Sequence, residues 1–392
     1  MAIVVKTQPG TYQSVHGDLL YVVHEATKAN DPVTYPDYRY LADVYAAGVL
    51  VTRLKAYPDP VTGMGIFNIS NVLRNYITPV FNPLANTWQC QTLNTGDWNV
   101  SGTVVFGEEY GFTQFPATIN GVGRTFFGHY NGRMLGTLTN LSSYYGKIAS
   151  VRPNRTPMYR NANFCFIPYF QNDTDIDIVI NQYDAEGGSL LSSIASRSAF
   201  DSSMNIFNIA SPGIADFNGL GILENAHFIT VDFPQNSNRL LTIDIVCEPK
   251  HTVYTVHFLN RFGGFESRDF TKLSRKLIDI EKRDFGKLPY TVNASGDVSY
   301  YNSNNVYNET RSVYASQYKE KMTLNTDVLT DAEYTWLGDL VLSPMVFIEM
   351  GGYFIPIVIS QTNYEFRKAV NDKVTNLTIE IQFGEQFNAQ YR

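Results

Sequence analysis

Histidines, cysteines and carboxylates are the side chains of this sequence that could act as catalysts or hold a metal ion. None of the six histidines forms a His-Glu-x-x-His pattern, which would place two ligands on one face of a helix. His251 and His257 share a face of a predicted strand, but at about 3.3 Å per residue they lie about 20 Å apart. A shared metal ion would require a much shorter distance.

Three aspartates, Asp173, Asp175 and Asp177, have the spacing of the first ligands in a calcium-binding loop. Ile178 stands where that loop requires glycine, so a polar strand face is the better explanation of the aspartates. The three cysteines are widely spaced and include no Cys-x-x-Cys pair, which indicates buried thiols rather than a zinc site or disulfide framework.

The motifs of common enzyme classes are missing from the sequence. It contains no Gly-x-Ser-x-Gly elbow, no phosphate-binding glycine loop and no dinucleotide fingerprint. We therefore expect a protein that is not an enzyme, with no catalytic residue, no cofactor and no metal site. A carboxylate pair for glycoside cleavage could assemble from distant positions, which leaves a hydrolase as the least favoured alternative.

The composition predicts a mainly β, globular protein. Of its 392 residues, 44% are hydrophobic and 17% are charged, and Tyr (26) and Phe (25) are abundant. Aromatic residues favour strands, while Asn, Gly and Pro supply turns. The net charge of -7 argues against direct nucleic-acid binding, which needs surplus Lys and Arg. Since no apolar run is long enough for a signal peptide or a membrane span, we expect neither.

Strand landmarks divide the chain into three predicted β-sandwich-like modules, residues 1-112, 113-250 and 251-392. Similar Thr-led strands, GTVVFGE, LTIDIVCE and LTIEIQFGE, recur along the sequence, and the triplet Phe-Asn-Ile occurs at 67-69 and 207-209. The third module opens with HTVYTVHFLNRFGGFESRDF, whose alternating residues and paired glycines predict a β-hairpin.

Helices are expected to be few and short. Ser70 is a predicted N-cap for a short helix that includes Leu73 and ends before Pro79. One clear helix is predicted near 330-343, because Thr330 and Glu333 form a capping box before an apolar face.

Two stretches could contact a partner. Residues 121-140 are dense in Gly and aromatic residues, which is typical of a long surface hairpin or of a loop that reaches a neighbour. Residues 261-287 contain eight basic and five acidic side chains, which predicts an edge strand guarded by charge or a docking patch for an acidic partner. The interface candidates are bulky aromatic or arginine residues, namely Phe126, Phe127, Tyr130, Phe262, Phe265, Arg268 and Trp336.

Four segments taken in order, TGMGIFNISNVLRNYI, ASVRPNRTP, FLNRFGGFESRDF and TDAEYTWLGDLVLSP, resemble virion structural proteins of tailed phages that infect Bacteroidetes. A strand ending in Leu/Trp-Asn-Arg-x-Gly-Gly, with aromatic residues beyond it, recurs in such proteins. The resemblance covers the whole chain and carries over no catalytic residue. It implies synthesis in the host cytoplasm and assembly into a tail, tail-tip or collar ring of the virion.

Two function classes follow. The favoured one is a structural virion component that self-assembles and docks other particle proteins, since aromatic residues dominate interface cores and symmetric rings are common oligomers. The alternative is a receptor- or glycan-binding virion protein, in which exposed aromatic rings stack on sugars of a host receptor. A groove lined by exposed Trp88, Trp98 or Trp336 would favour that alternative.

Overall fold

The computed structural model confirms the predicted mainly β fold, which consists of several sheets and few helices. The residues that it describes are 3-10, 12-78, 81, 99-120, 124-127, 148-162, 165-171, 176-184, 188-198, 203-208, 222-233, 238-246, 249-360 and 376-391. The chain folds into two compact units. Unit 1 comprises residues 1-248, 257-268 and 335-344, and unit 2 comprises residues 249-256, 269-334 and 345-392.

Unit 1 contains most of the strands. Those that lie wholly within it are β1 (Val4–Thr7), β2 (Tyr12–Ser14), β3 (Leu20–His24), β4 (Arg39–Ala46), β5 (Val49–Ala56), β6 (Met64–Asn68), β7 (Asn99–Tyr110), β8 (Thr113–Asn120), β9 (Arg124–Phe127), β10 (Arg155–Tyr159), β11 (Phe166–Gln171), β12 (Ile176–Tyr183), β13 (Leu190–Ser198), β14 (Ser203–Asn208), β15 (Phe228–Phe233) and β16 (Asn238–Val246). A 3-10 turn at Lys28–Asn30 and the short helix α1 (Ser70–Arg74) also belong to unit 1.

The remaining elements belong to unit 2 or contribute residues to both units. The shared ones are β17 (Tyr254–Leu259), β18 (Phe265–Phe270) and the helix α2 (Asp331–Leu342). The strands of unit 2 are β19 (Arg275–Gly286), β20 (Thr291–Val292), β21 (Val298–Ser299), β22 (Arg311–Asn325), β23 (Val346–Met350), β24 (Tyr353–Ile359) and β25 (Thr378–Tyr391).

The first hydrophobic core of unit 1 is built from two sheets. One has the order β1-β3-β6, and the other has the order β2-β9-β7-β4-β5 with β8 paired to β7. Tyr21 and Phe67 from the first sheet join Tyr40 and Phe106 from the second in one buried cluster. Gly65 is required here because a Cβ at this position would lie 2.4 Å from the Tyr40 ring.

A second core in unit 1 belongs to the five-stranded sheet β10-β16-β15-β12-β13 and the two-stranded sheet β11-β14. Ile180, Val231 and Ile243 of the larger sheet share a buried cluster with Tyr169 of the smaller one. Cys165 also lies in this cluster and is a buried thiol that forms no disulfide, as the sequence predicted. Cys90 and Cys247 lie outside the described residues.

The predicted module boundaries can be placed on this architecture. The boundary at 112 falls in the turn between β7 and β8, where Gly111 and Phe112 both have positive φ. The boundary at 250 lies next to the junction between residues 248 and 249 where the two units divide. Residues 257-268 and 335-344, predicted as parts of the third module, group with unit 1. The division into three modules stays a prediction.

The sequence predicted the start of α2 correctly and the start of α1 wrongly. The prediction that Ser70 is an N-cap was wrong, because Ile69 holds that position and Ser70 is the first helical residue. The side chain of Asn68 accepts a hydrogen bond from the Ser70 amide at 3.1 Å, so the residue two places earlier satisfies this N–H. In α2 the predicted capping box is present, since the Thr330 amide donates to Glu333 Oε2 at 3.0 Å and the Glu333 amide donates to Thr330 Oγ1 at 3.2 Å.

The hairpin of β17 and β18 has the predicted turn. The Gly263 amide donates to the Asn260 carbonyl at 3.0 Å, and the Asn260 amide donates to the Gly264 carbonyl at 2.8 Å. Gly263 has a φ of 87°, which an L side chain rarely adopts. The Asn260 side chain completes the turn, because its Oδ1 accepts from the amides of Phe262 and Gly264, each at 3.0 Å.

The same turn occurs twice more, in unit 2. Asn293 and Asn302 each accept hydrogen bonds through Oδ1 from the amides two and four residues later. The third residue after each asparagine, Gly296 or Asn305, has positive φ. This is the arrangement of a type I turn followed by a left-handed residue, which closes three-residue hairpin loops.

The main sheet of unit 2 has the order β18-β17-β23-β24-β25-β22-β19. Buried residues that face each other across β22 and β25, Met322 with Ile381 and Leu324 with Ile379, hold its centre together. β19 is the last strand in this order and pairs with β22 alone among the strands described.

Candidate interaction surface

Of the histidines and carboxylates singled out in the sequence, the structure describes His251, His257 and Asp177. No group of three or more His, Cys, Asp or Glu among those residues is arranged to hold a metal ion. Asp177 lies in β12, opposite Arg197, whereas Asp173 and Asp175 lie outside the described residues. His257 is buried in β17 and its Nδ1 lies 2.8 Å from Ser267 Oγ. Burial lowers the pKa of His257 to about 3, so the ring is neutral at physiological pH.

A buried polar cluster in unit 1 surrounds Glu266. Trp336 Nε1 and Asn260 Nδ2 each donate to Glu266 Oε2 at 3.0 Å. Burial raises the pKa of Glu266 above its usual value, although the bonds that it accepts oppose this shift. The guanidinium of Arg152 lies 4.9 Å from the centre of the Trp336 ring. Because Glu266 and Trp336 are fully buried, we assign this cluster a structural role in holding the hairpin turn to unit 1.

Three of the seven predicted interface candidates are buried residues of unit 1. Phe265, Arg268 and Trp336 are at most 4% exposed, and Phe262 is half-buried. The aromatic side chains therefore pack within the unit instead of forming a free surface. Trp336 also does not line an exposed groove, so it cannot stack on a glycan in this conformation.

The other aromatic candidates lie in or near β9. The backbone of Phe126 pairs with Val100 of β7 and with Gln13 of β2, and the backbone of Phe127 pairs with Asn99 and Ser14. The remaining candidates and tryptophans, Tyr130, Trp88 and Trp98, lie outside the described residues.

The most exposed part of the described chain is a long hairpin in unit 2, which sequence reasoning identified only in part. We name β19, residues 287-310 and β22 the outer hairpin. β19 and β22 pair antiparallel from Arg275 opposite Thr323 to Gly286 opposite Arg311. Every residue of β19 is exposed, on both faces of the strand. The sequence predicted a charged edge strand in this region, and the position of β19 in the sheet confirms it.

Apolar side chains of β19 reach water on both sides of the sheet. Leu277 and Phe285 point to one face and are each 50% exposed, and Ile278 and Ile280 point to the other and are each 59% exposed. An ordinary solvated edge strand buries one face and exposes polar residues on the other. β19 therefore exposes apolar side chains that an ordinary edge strand would bury.

The tip of the outer hairpin is rich in exposed tyrosine. The short strands β20 and β21 pair there, and two Asn turns close its loops. Tyr290 and Tyr300 make an edge-to-face contact with ring centres 6.0 Å apart, and Tyr301 and Tyr307 make another at 5.5 Å. All four tyrosines are exposed, so the tip presents ordered aromatic rings to solvent.

Charges on one face of the outer hairpin alternate in sign from strand to strand. Glu380 of β25 lies 3.7 Å from Lys321 of β22, which lies 2.9 Å from Asp279 of β19. The hydrogen bond between Lys321 and Asp279 lowers the pKa of Asp279 and raises the pKa of Lys321, so both stay charged at neutral pH. The row ends at β19 with a negative charge on the open edge of the sheet.

A second, half-buried aromatic patch lies in unit 1. The rings of Tyr110 and Phe115 stack with centres 4.9 Å apart. Lys28 Nζ lies 5.1 Å from the centre of the Tyr110 ring and 5.7 Å from that of Tyr35. Lys28 also forms an ion pair with Glu108, and this hydrogen bond raises the pKa of the lysine. The patch combines aromatic faces with charged groups, a composition that suits a polar ligand with one apolar face.

Within the described residues, no helix combines the length and the hydropathy needed to cross a membrane. Neither a scan of known protein-family models nor a search of curated protein sequences finds a match to this chain.

Proposed function

We propose that this protein is a structural component of a phage virion, of the tail, tail-tip or collar-ring type, that self-assembles and docks other particle proteins. The observation that carries the proposal is the outer hairpin, where apolar and aromatic side chains are exposed on both faces of β19 and over the tip. The resemblance in the sequence supplies the class of particle, and the outer hairpin supplies a surface suited to assembly.

The energetic argument rests on the cost of exposing apolar surface. Each Å² of apolar surface removed from water contributes roughly 25 cal/mol, so covering several exposed Leu, Ile, Phe and Tyr side chains gives a substantial driving force for association. Large exposed apolar patches on soluble proteins are typical of interaction sites. Tyrosine and arginine, both present on the outer hairpin, are enriched at interface cores.

Purified particles provide the test of this proposal. An antibody against the chain should decorate intact virions at one location, with a copy number that fits a symmetric ring or a tail tip. Absence of the chain from purified virions, when it is present in infected cells, would refute a structural role.

A variant tests whether the outer hairpin is the assembly surface. Replacing residues 287-310 with Asn-Gly joins β19 to β22 by a two-residue turn and removes the tyrosine-rich tip. We expect this variant to fold but to be incorporated into particles far less than the wild type. Asn302→Ala, which alters one turn at the tip and keeps every tyrosine, is the matched control and should be incorporated normally.

A receptor- or glycan-binding role is the second candidate, favoured by the patch of Tyr35, Tyr110 and Phe115. Sugars stack on aromatic rings and form hydrogen bonds with charged groups, and this patch offers both. Glycan-array binding that is lost in Phe115→Ala and kept in Phe112→Ala would establish it. Phe112 is the suitable control because it is fully exposed and lies close in sequence.

A further inference from the structure

We propose that β19 pairs antiparallel with β19 of a second copy of this chain, about a twofold axis that passes through Glu281. The two copies then share one continuous sheet across the axis. This inference rests on the proposed role of the outer hairpin in assembly, and it names the partner of that surface as another copy.

The open edge of β19 is the first argument. A strand at the edge of a sheet has a row of backbone N–H and C=O groups that can pair with another strand. Natural edge strands are usually short, interrupted by proline or a bulge, or guarded by charged side chains. The charges of β19 are of both signs, so a reversed copy of the strand can pair with them. β19 is 12 residues long and contains no proline. The bulge in its pairing with β22 places the extra residue, Tyr314, in β22, so β19 itself continues regularly.

The side chains on one face of β19, the face of Leu277 and Phe285, match each other when the strand is reversed. With Glu281 on the axis, Leu277 lies opposite Phe285 of the second copy, and Asp279 lies opposite Arg283 of the second copy. Twofold symmetry produces each of these pairs twice. Apolar and opposite-charge pairs across antiparallel strands are each worth about 0.2–1 kcal/mol. The pairing therefore forms two apolar contacts and two ion pairs, all on the same face of the shared sheet.

The charged row described above continues across this pairing. Glu380, Lys321 and Asp279 already alternate in sign over three strands of one copy. The second copy's Arg283 is the next member of that row, and it supplies the positive charge that the alternation requires. The charges of the sheet are thus complementary to those of a reversed second copy.

Sliding one strand past the other by two residues leaves every side chain on the same side of the shared sheet. Both of these alternative registers are less favourable than the proposed one. A slide of two residues in one direction places Asp279 opposite Glu281 twice, which brings like charges together. A slide of two residues in the other direction pairs Glu281 with Arg283, but it shortens the overlap and places Lys282 opposite Lys282. It also places Phe285 opposite Asp279, so both apolar contacts are lost. The proposed register has a single like-charge contact, Glu281 opposite itself, and Arg283 lies 3.4 Å from Glu281 within each copy, which offsets the repulsion.

Charge reversal in the full chain tests both the partner and the register. Asp279→Arg or Arg283→Asp alone places like charges opposite each other at two symmetric positions. We expect each single variant to weaken dimerisation about tenfold or more in analytical ultracentrifugation. The double variant restores opposite charges across the pairing and should bind more tightly than either single variant. Recovery should be partial, because the exchanged charges then lie beside Lys321 and Glu281 of the same copy. Glu281→Gln removes the like-charge contact on the axis and should strengthen the dimer.

Disulfide trapping gives a second, independent measurement. Residues directly opposite each other have Cβ atoms about 4.5–5.5 Å apart, close to the distance that a disulfide needs. Glu281→Cys should therefore form a covalent dimer under mild oxidation. Ser295→Cys, at an exposed turn of the tip, is the matched control and should cross-link far less, as should the wild type with its native cysteines.

Several outcomes would overturn the inference. One is a chain that remains monomeric at high concentration, and another is a dimer in which the double variant is as weak as the single variants. Efficient cross-linking of Ser295→Cys with none at Glu281→Cys would also contradict the register. In each case, particles that contain the chain would leave the structural role standing, whereas particles that lack it would refute the proposed function independently.

Discussion

Replacement of Asn260 by alanine is expected to destabilise unit 1 strongly. The Asn260 side chain is fully buried and makes four hydrogen bonds within the unit. Its Nδ2 donates to the Ala149 carbonyl at 2.7 Å and to Glu266 Oε2 at 3.0 Å, and its Oδ1 accepts from two amides of the turn. Each buried bond contributes about 1 kcal/mol, so we expect Asn260→Ala to lower the free energy of unfolding by about 4 kcal/mol.

The exposed copy of the same turn provides the control. Asn302 accepts hydrogen bonds at the same spacing, 2.9 and 3.0 Å from two amides of its turn, but water can replace them when the side chain is removed. Asn302→Ala should therefore cost about 1 kcal/mol or less.

Urea unfolding followed by far-UV circular dichroism measures both variants, and the fluorescence of the buried Trp336 reports on unit 1. Equal losses from Asn260→Ala and Asn302→Ala would refute the reasoning, because Asn260 is buried and makes two further bonds through Nδ2. A loss of less than about 1 kcal/mol in Asn260→Ala would have the same consequence.

Three further predictions concern the helix, an ion pair and pH. Thr330→Ala removes the capping hydroxyl of α2 and should lower the free energy of unfolding by about 1 kcal/mol in thermal melts, whereas Thr330→Ser should be nearly neutral. Asp339 is buried and accepts from Arg261 Nε at 2.8 Å, so Asp339→Asn leaves the guanidinium without its counter-charge and should cost about 3 kcal/mol in urea unfolding. The pKa of His257 is 6.5 when unfolded and about 3 when folded, so below pH 6.5 the unfolded state binds a proton that the folded state does not. Stability should therefore fall as pH drops from 6.5 towards 3, by up to about 1.4 kcal/mol per pH unit, and His257→Gln should reduce this slope in urea titrations; an unchanged slope would contradict the assignment.

Local sequence signals predicted the local structure well. The hairpin of β17 and β18 was found because Gly263 permits the positive φ of its turn, and α2 was found because Thr330 and Glu333 cap it. The start of α1 was placed one residue too late, because the side chain of Asn68 satisfies the Ser70 amide and Ile69 takes the N-cap position. Such an error arises where a side chain before the helix accepts a hydrogen bond from its first amide, so that the N-cap residue need not supply an acceptor.

The candidate site was harder to predict, because exposure depends on tertiary packing. The charges of residues 261-287 predict an edge strand but not the burial of its two faces. Leu277 and Ile278 are both exposed, because nothing in the described chain covers either side of β19. Residue type alone makes Trp336 a candidate interface residue. It is buried because Glu266, distant in sequence, provides a hydrogen-bond acceptor inside unit 1. A pattern in one segment contains no information about what packs on it.

The asparagine turn occurs three times in the chain, at Asn260, Asn293 and Asn302. One side chain and one left-handed residue fix the path of the loop, whether the loop lies in a core, as at Asn260, or at an exposed tip, as at Asn293. The same loop therefore suits hairpins whose flanking strands differ in sequence and in burial. Mutational drift can then reshape the outer surface while the connections of the chain stay intact.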